Sequence, residues 1–258
     1  MNTPCQTGPK RKRALFTRGA ANAKTAKGLK VADVDTLILH LAPHTSSRAG
    51  NVCTSAYGCI DPCLNTAGRG GIFKAGESTN PIQERRIQRT REYFADPAAF
   101  VDRLDGEIRA AKRRGRTFVV RVNGTSDLPK VAMTLATRHP DVMLYDYTKH
   151  AKPWLRQMSN YRLTFSRTSA NEAHCFEAIA HGVNVAVVFD TKKGQPLPTS
   201  WYGVPVIDGD LTDLRYLDPA GVVVGLRAKG RARRDASGFV VKVADLPASD
   251  RTGVQHVA

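Results

Sequence analysis

Seven stretches of the chain carry apolar residues in runs too short for a helix and too continuous for a half-exposed strand: 36–42 (TLILHLA), 117–122 (TFVVRV), 142–147 (VMLYDY), 161–165 (YRLTF), 183–189 (VNVAVVF), 204–207 (VPVI) and 222–226 (VVVGL). Runs of this kind suit strands buried on both faces of a parallel sheet. Between them the period changes. Asn80-Pro81 supplies a cap and a first-turn proline ahead of 82–94 (IQERRIQRTREYF), which predicts a helix. Pro97 opens a second, in which Phe100, Val101, Leu104, Ile108 and Ala111 recur at spacings of three and four, with Arg103, Arg109, Lys112 and Arg113 on the other face. Residues 128–138 read as a third helix, and a fourth runs from a Ser169 cap to Ala180, ending at Gly182. Strands alternating with helices imply βαβ units and right-handed crossovers. The expected fold is therefore α/β, a complete or partial parallel β/α barrel (TIM-like), with an open doubly wound sheet as the second choice. Residues 1–30 lack an apolar period and are rich in Lys, Arg, Thr, Gly and Ala. They predict a basic, partly ordered N-terminal arm, leaving 31–258 as a single α/β domain.

One stretch breaks the alternation. From 44 to 79 neither helix nor strand is signalled, and so long a loop in a compact domain is uncommon unless it is functional or tied down. Cys53, Cys59 and Cys63 fall within it, among Gly, Ser, Thr and Asn, and it ends in Ala67-Gly68-Arg69-Gly70-Gly71. Three clustered thiols point to a metal or an iron–sulfur cluster, which would tie the loop down; reduced structural thiols and a disulfide are the alternatives. Structural zinc takes four ligands in a tetrahedron, so His40, His44 or Cys5 enters as a fourth. Cluster ligation by three cysteines leaves one iron open for substrate or cofactor. Cys175, on the fourth helix, reads as a small buried hydrophobe.

Composition narrows the setting. The chain is 41% hydrophobic, yet no apolar run approaches the ~18 residues of a membrane span. No apolar segment follows the first basic residues, so the expectation is a cytoplasmic protein with reduced thiols. With 39 Lys+Arg against 23 Asp+Glu the net charge is +16, the basic residues clustering at 10–13, 85–91, 112–116 and 227–234. That excess calls for an anionic partner, nucleic acid or a nucleotide. In parallel α/β folds the carboxyl ends of the strands form the site, and here they lead into His44, Asn123, Ser126, Asp127, Lys149, Ser166, Arg167, Asp208, Asp210 and Lys229. The expected site has Cys53, Cys59 and Cys63 on the metal, Gly68, Gly70 and Gly71 giving close backbone approach, and Asn123, Ser126, Asp127, Lys149, Asp208 and Asp210 holding cofactor or substrate.

A first-strand loop with three cysteines at the mouth of a parallel barrel resembles the radical S-adenosylmethionine enzymes. Their common spacing is three residues and then two, whereas this loop has five (54–58) and then three (60–62). The resemblance implies a cluster with S-adenosylmethionine as cofactor. The whole chain resembles the gene product 88-like family of phage-encoded proteins. That likeness rests on Leu39-His40-Leu41-Ala42-Pro43, the cysteine loop with 64–70 (LNTAGRG), 123–127 (NGTSD), 145–149 (YDYTK) and 205–210 (PVIDGD), and it implies phage or prophage origin. The resulting expectation is a phage-encoded iron–sulfur enzyme acting on a nucleotide or nucleic acid. Its alternative is a zinc-stabilised, non-catalytic nucleic-acid-binding protein.

Overall fold

The structure, a computed structural model, describes residues 13–21, 25–73 and 80–251. In chain order the elements are β1 (Phe16–Arg18), α1 (Thr25–Ala32), β2 (Asp35–Leu39), α2 (Pro81–Ala95), α3 (Pro97–Lys112), β3 (Phe118–Arg121), α4 (Pro129–Arg138), β4 (Leu144–Thr148), β5 (Tyr161–Ser166), α5 (Glu172–Ala180), β6 (Val185–Phe189), β7 (Ser200–Trp201), β8 (Val204–Asp208), β9 (Val223–Arg227), β10 (Val240–Val241) and α6 (Ala248–Arg251). The ten strands form one sheet in the order β1-β2-β3-β4-β5-β6-β9-β8-β7, with β10 branching from β6. From β2 to β8 every neighbouring pair is parallel.

The sheet does not close, so a complete barrel is corrected to an open, mostly parallel sheet. Its edges are capped antiparallel, by β1 on β2 and by β7 on β8. Up to β6, α-helices separate the strands except between β4 and β5, which are joined by a 3-10 turn at Pro153–Arg156. Beyond β6 a hairpin, turning at Gly203 with φ of 81°, replaces the helical crossover, and glycine is the residue that takes that conformation without strain.

Part of the expected arm is folded structure. Leu15 and Phe16 are buried, and their amides donate to Glu107 on α3 at 2.6 and 3.0 Å; that apolar pair is what draws β1 onto the sheet. Residues 1–12, with Cys5, lie outside the described residues. The helix expected to start at Ser169 is instead led in by a short 3-10 turn, and the Thr168 amide donates to Asn171 Oδ1 at 2.6 Å.

Two apolar layers cover one face of the sheet. Leu37, Leu39, Val120, Val122 and Leu144 pack with Phe100, Leu104, Ile108 and Leu135 of α3 and α4, the stripe that the helical period predicts. Phe165, Val185, Val187, Phe189 and Val223 pack with Trp201 and a fully buried Cys175. Across the other face runs the segment 211–218, whose Leu214 joins Val34, Val119 and Tyr145 in a smaller cluster.

Candidate functional site

The cysteine loop leaves β2 and is clasped by the turn that follows β3. Gly124 N donates to Leu39 O (3.0 Å), Thr125 Oγ1 to Leu41 O (2.6 Å) and Asp127 N to Val52 O (2.8 Å). Gly124 has to be glycine: a Cβ there would lie 2.7 Å from the Ile38 side chain and 2.8 Å from Leu39 O. The far end of the loop is held by α2. Gln83 accepts from Asn65 Nδ2 at 2.8 Å and donates to Asn65 O and Gly70 O at 2.8 and 2.7 Å. Asn80 donates to Gly70 O and Ile72 O while accepting from Ile82 N and Gln83 N as the helix cap. Arg86 reaches both oxygens of Asn65. The segment Gly68–Gly71 is thus a 3-10 turn whose Gly70 packs tightly on Asn65, a Cβ at that position lying 2.9 Å from Asn65 O.

The four described cysteines are all free thiols. Burial pushes the Cys53 thiol up to about 12, the His44 backbone amide opposing and Cys63, Asp127 and Cys59 adding to the rise. Cys63 is likewise raised, first by burial, with Cys59 adding; Asn65, Lys149 and Arg86 pull the other way. Its sulfur accepts from Asn65 N at 3.4 Å. Cys53 thus lies within reach of Cys63, Cys59 and Asp127, and Cys63 within reach of Cys59, Lys149 and Arg86. Among the described residues no three His, Cys, Asp or Glu side chains stand close enough to grip a single metal ion.

Asp127 and Lys149, which follow β3 and β4, meet beside the loop. Asp127 Oδ2 accepts from Lys149 N at 2.7 Å, and Lys149 Nζ donates to Ser166 Oγ at 2.8 Å, tying β4 to β5. Burial raises the Asp127 pKa against Lys149, His150 and Thr148, and its Oδ1 is buried without a hydrogen-bond partner. His150 Nδ1 lies 3.1 Å from Ser55 Oγ of the cysteine loop, and its Nε2 lies 3.3 Å from Asp127 O.

Other expected residues face elsewhere. Asn123 and Ser126 turn inward: Asn123 donates through N and Nδ2 to Asp146 at 2.7 and 2.9 Å and accepts from Ser126 Oγ at 3.0 Å. Asp208 and Asp210 form an ion cluster with Arg227 and Lys229 at the β8–β9 end. Arg167 fills the fork that β10 opens beside β6, bonding Glu172 at 2.9 Å and Phe239 O at 3.3 Å. The His44 ring pairs with the neighbouring Thr45 hydroxyl at 3.0 Å, and His40 sits among Arg86, Arg121 and Arg89.

Sequence reasoning passed over Arg86, Asp146, His150 and the pair Arg121–Asp213, which meets at 2.6 Å. A signal was present for two of them. Asp146 and Arg121 are charges inside strands that read as buried, where an ionisable group needs a partner.

On its outer side the loop exposes Tyr57, Ile60, Leu64, Ile72 and Phe73, and Leu64–Thr66 packs beside the arginine-rich turn Gly230–Arg234. A shallow depression of about 410 Å³ on α2, lined by Glu84, Ile87, Gln88, Arg91 and Glu92, lies on that helix and not among the thiols. No helix among the described residues is long and apolar enough to cross a membrane.

No curated protein and no solved structure matches the chain. A family model does match, that of Gene product 88, over residues 13–243, which takes in every strand and every site residue described above. The chain belongs to the gene product 88 family of phage proteins.

Proposed function

We propose that the protein is a three-cysteine iron–sulfur enzyme, similar to the radical S-adenosylmethionine enzymes, acting on a nucleotide or nucleic acid at the carboxyl ends of its strands. We read the open, mostly parallel sheet as a partial barrel. What supports the assignment is one observation: the loop's three free cysteines lie near one another, Cys53 within electrostatic reach of Cys63, Cys59 and Asp127, and Cys63 within reach of Cys59 and Lys149.

The donor set suits a cluster better than a lone ion. Structural zinc takes four protein ligands, one more than the three cysteines of the loop supply. Iron–sulfur ligation by three cysteines would leave one iron open. The Asn65 backbone amide already donates to Cys63 Sγ, and such bonds tune a thiolate cluster. When bound, the cluster would supply an open iron and an electron. The protein's own part is clearer: Lys149 and Arg86 favour the thiolate form of Cys63, Gln83 and Asn80 fix the loop, and Lys149 offers a cation to an anionic substrate.

Anaerobic purification followed by iron, sulfide and zinc analysis tests this. A brown protein with iron and sulfide is expected, losing both on Cys53→Ala, Cys59→Ala or Cys63→Ala and keeping both on Cys175→Ala. A colourless protein loaded with zinc would overturn the enzyme in favour of a zinc-stapled binder, and full metal retention in all three loop variants would remove the site.

A further inference from the structure

We infer that the outer side of the thiol loop is a binding surface for single-stranded nucleic acid, on which Tyr57 and Phe73 stack bases while Arg231, Arg233 and Arg234 meet the phosphates. It rests on the proposed function only for the choice of nucleic acid as partner, and it names the strand form. Tyr57 is 69% exposed and Phe73 41%, and exposed apolar residues gathered on one loop mark an interaction site more often than chance. Their backbones are anchored, not left to wander. Ser237 Oγ donates to Gly58 O at 3.3 Å, next to Tyr57, and Asn80 Nδ2 donates to Ile72 O at 2.8 Å, next to Phe73.

The partner's chemistry follows from what lies alongside. Leu64 begins the turn that packs against Gly230–Arg234, and all three arginines of that segment are exposed. The loop that carries the rings touches the arginine-rich segment at Leu64–Thr66 and, through Gly58, its neighbour Ser237, and exposed rings and arginines on adjoining segments match a strand whose bases are free to stack and whose backbone is negative. A duplex hides its base faces, so it can use the arginines and not the rings. The whole chain, at +16, adds long-range attraction for the same partner.

The test uses the full chain and a fluorescent oligothymidylate of about 12 nucleotides, within the usual site size for such surfaces. Tyr57→Ala and Phe73→Ala should each weaken binding about tenfold and leave the salt dependence unchanged. The triple variant Arg231→Ala, Arg233→Ala, Arg234→Ala should flatten the slope of log affinity against log salt by about 2, since each single-strand phosphate contact contributes ~0.7. Thermal melts check that these surface variants remain folded. A duplex of equal length that binds as tightly, rings that can be removed without effect, or polyglutamate that competes as well as the oligonucleotide would each overturn the inference. Iron and sulfide content separates the two proposals. Metal present with no strand binding sinks this inference alone, and strand binding by a protein that holds no metal sinks the enzyme reading alone.

Discussion

Asp146 and His40 are buried in opposite senses, and their titrations oppose each other. Burial pushes the Asp146 carboxyl from 3.8 up to about 7, in spite of hydrogen bonds from Asn123 and Tyr161. Between those values the folded chain holds a proton that the unfolded chain has released, so stability falls as pH rises through the window. For His40, burial first and then Arg86, Arg121 and Arg89 bring the pKa from 6.5 down to about 3. There the unfolded chain binds the extra proton, and stability rises with pH up to 6.5. Each shift corresponds to about 4 kcal/mol, so the two nearly cancel from pH 4 to 6.5. The unaltered protein should therefore show neither contribution by itself in its urea midpoints across that range. Asp146→Asn should uncover the rise and His40→Gln the fall; parallel profiles for all three proteins would contradict the assignment. Asp146 was legible in the sequence only as an acid out of place in VMLYDY, because which groups face it depends on the register of β3, β4 and β5.

The helix α2 does more for the candidate site than its sequence announces. Its start was readable, since Asn80 caps and Pro81 begins it. The stripe of α3 was readable for the same kind of reason, as its period is local. What local pattern cannot reveal is that Asn80, Gln83 and Arg86, three residues apart at the cap and along the first two turns, reach across to Asn65 and Gly70 and pin the loop. A long loop with thiols suggested a metal as its tether, whereas a polar staple holds it in the structure. The missed strands β1, β7 and β10 are two or three residues each, too short to show any period. Gln83→Ala removes three hydrogen bonds from a buried position, but Asn80 still donates to Gly70 O and Arg86 to Asn65 O, so the cost is that of the bonds lost, ~0.5–1.5 kcal/mol each. We expect a total loss near 2 kcal/mol and, by hydrogen exchange, faster opening of 64–72 with the amides of β3 and β4 unchanged. Uniform acceleration over the whole chain would show that the helix supports the core and not the loop.

At the scale of the molecule, seven parallel strands were foreseeable from their apolar runs, but closure was not, because closure depends on what the edge strands pair with. An open sheet must cover its second face by other means, and here 211–218 crosses it. Asp213 is the polar anchor of that crossing. It meets Arg121 at 2.6 Å and receives a long contact from Tyr145 OH at 3.5 Å, and Arg121 lies 4.8 Å over the Tyr147 ring. Burial alone would lower the Arg121 pKa, yet Asp213, Tyr145, Tyr147 and Asp146 together raise it, so the guanidinium stays charged and depends on its partner. Asp213→Ala therefore leaves a buried cation uncompensated, with an expected cost of about 3–5 kcal/mol. Replacing both partners, Arg121→Met with Asp213→Leu, removes the charge and its need together, and should recover most of that loss. Denaturant midpoints of the three variants decide the matter. If the double variant is as unstable as Asp213→Ala, the segment is held by its backbone path and by Leu214, and the ion pair is not what fixes it across the sheet. If the double variant recovers while hydrogen exchange in 211–218 stays fast, the ion pair fixes where the segment lies, and the apolar cluster of Leu214, Val34 and Val119 supplies the stability.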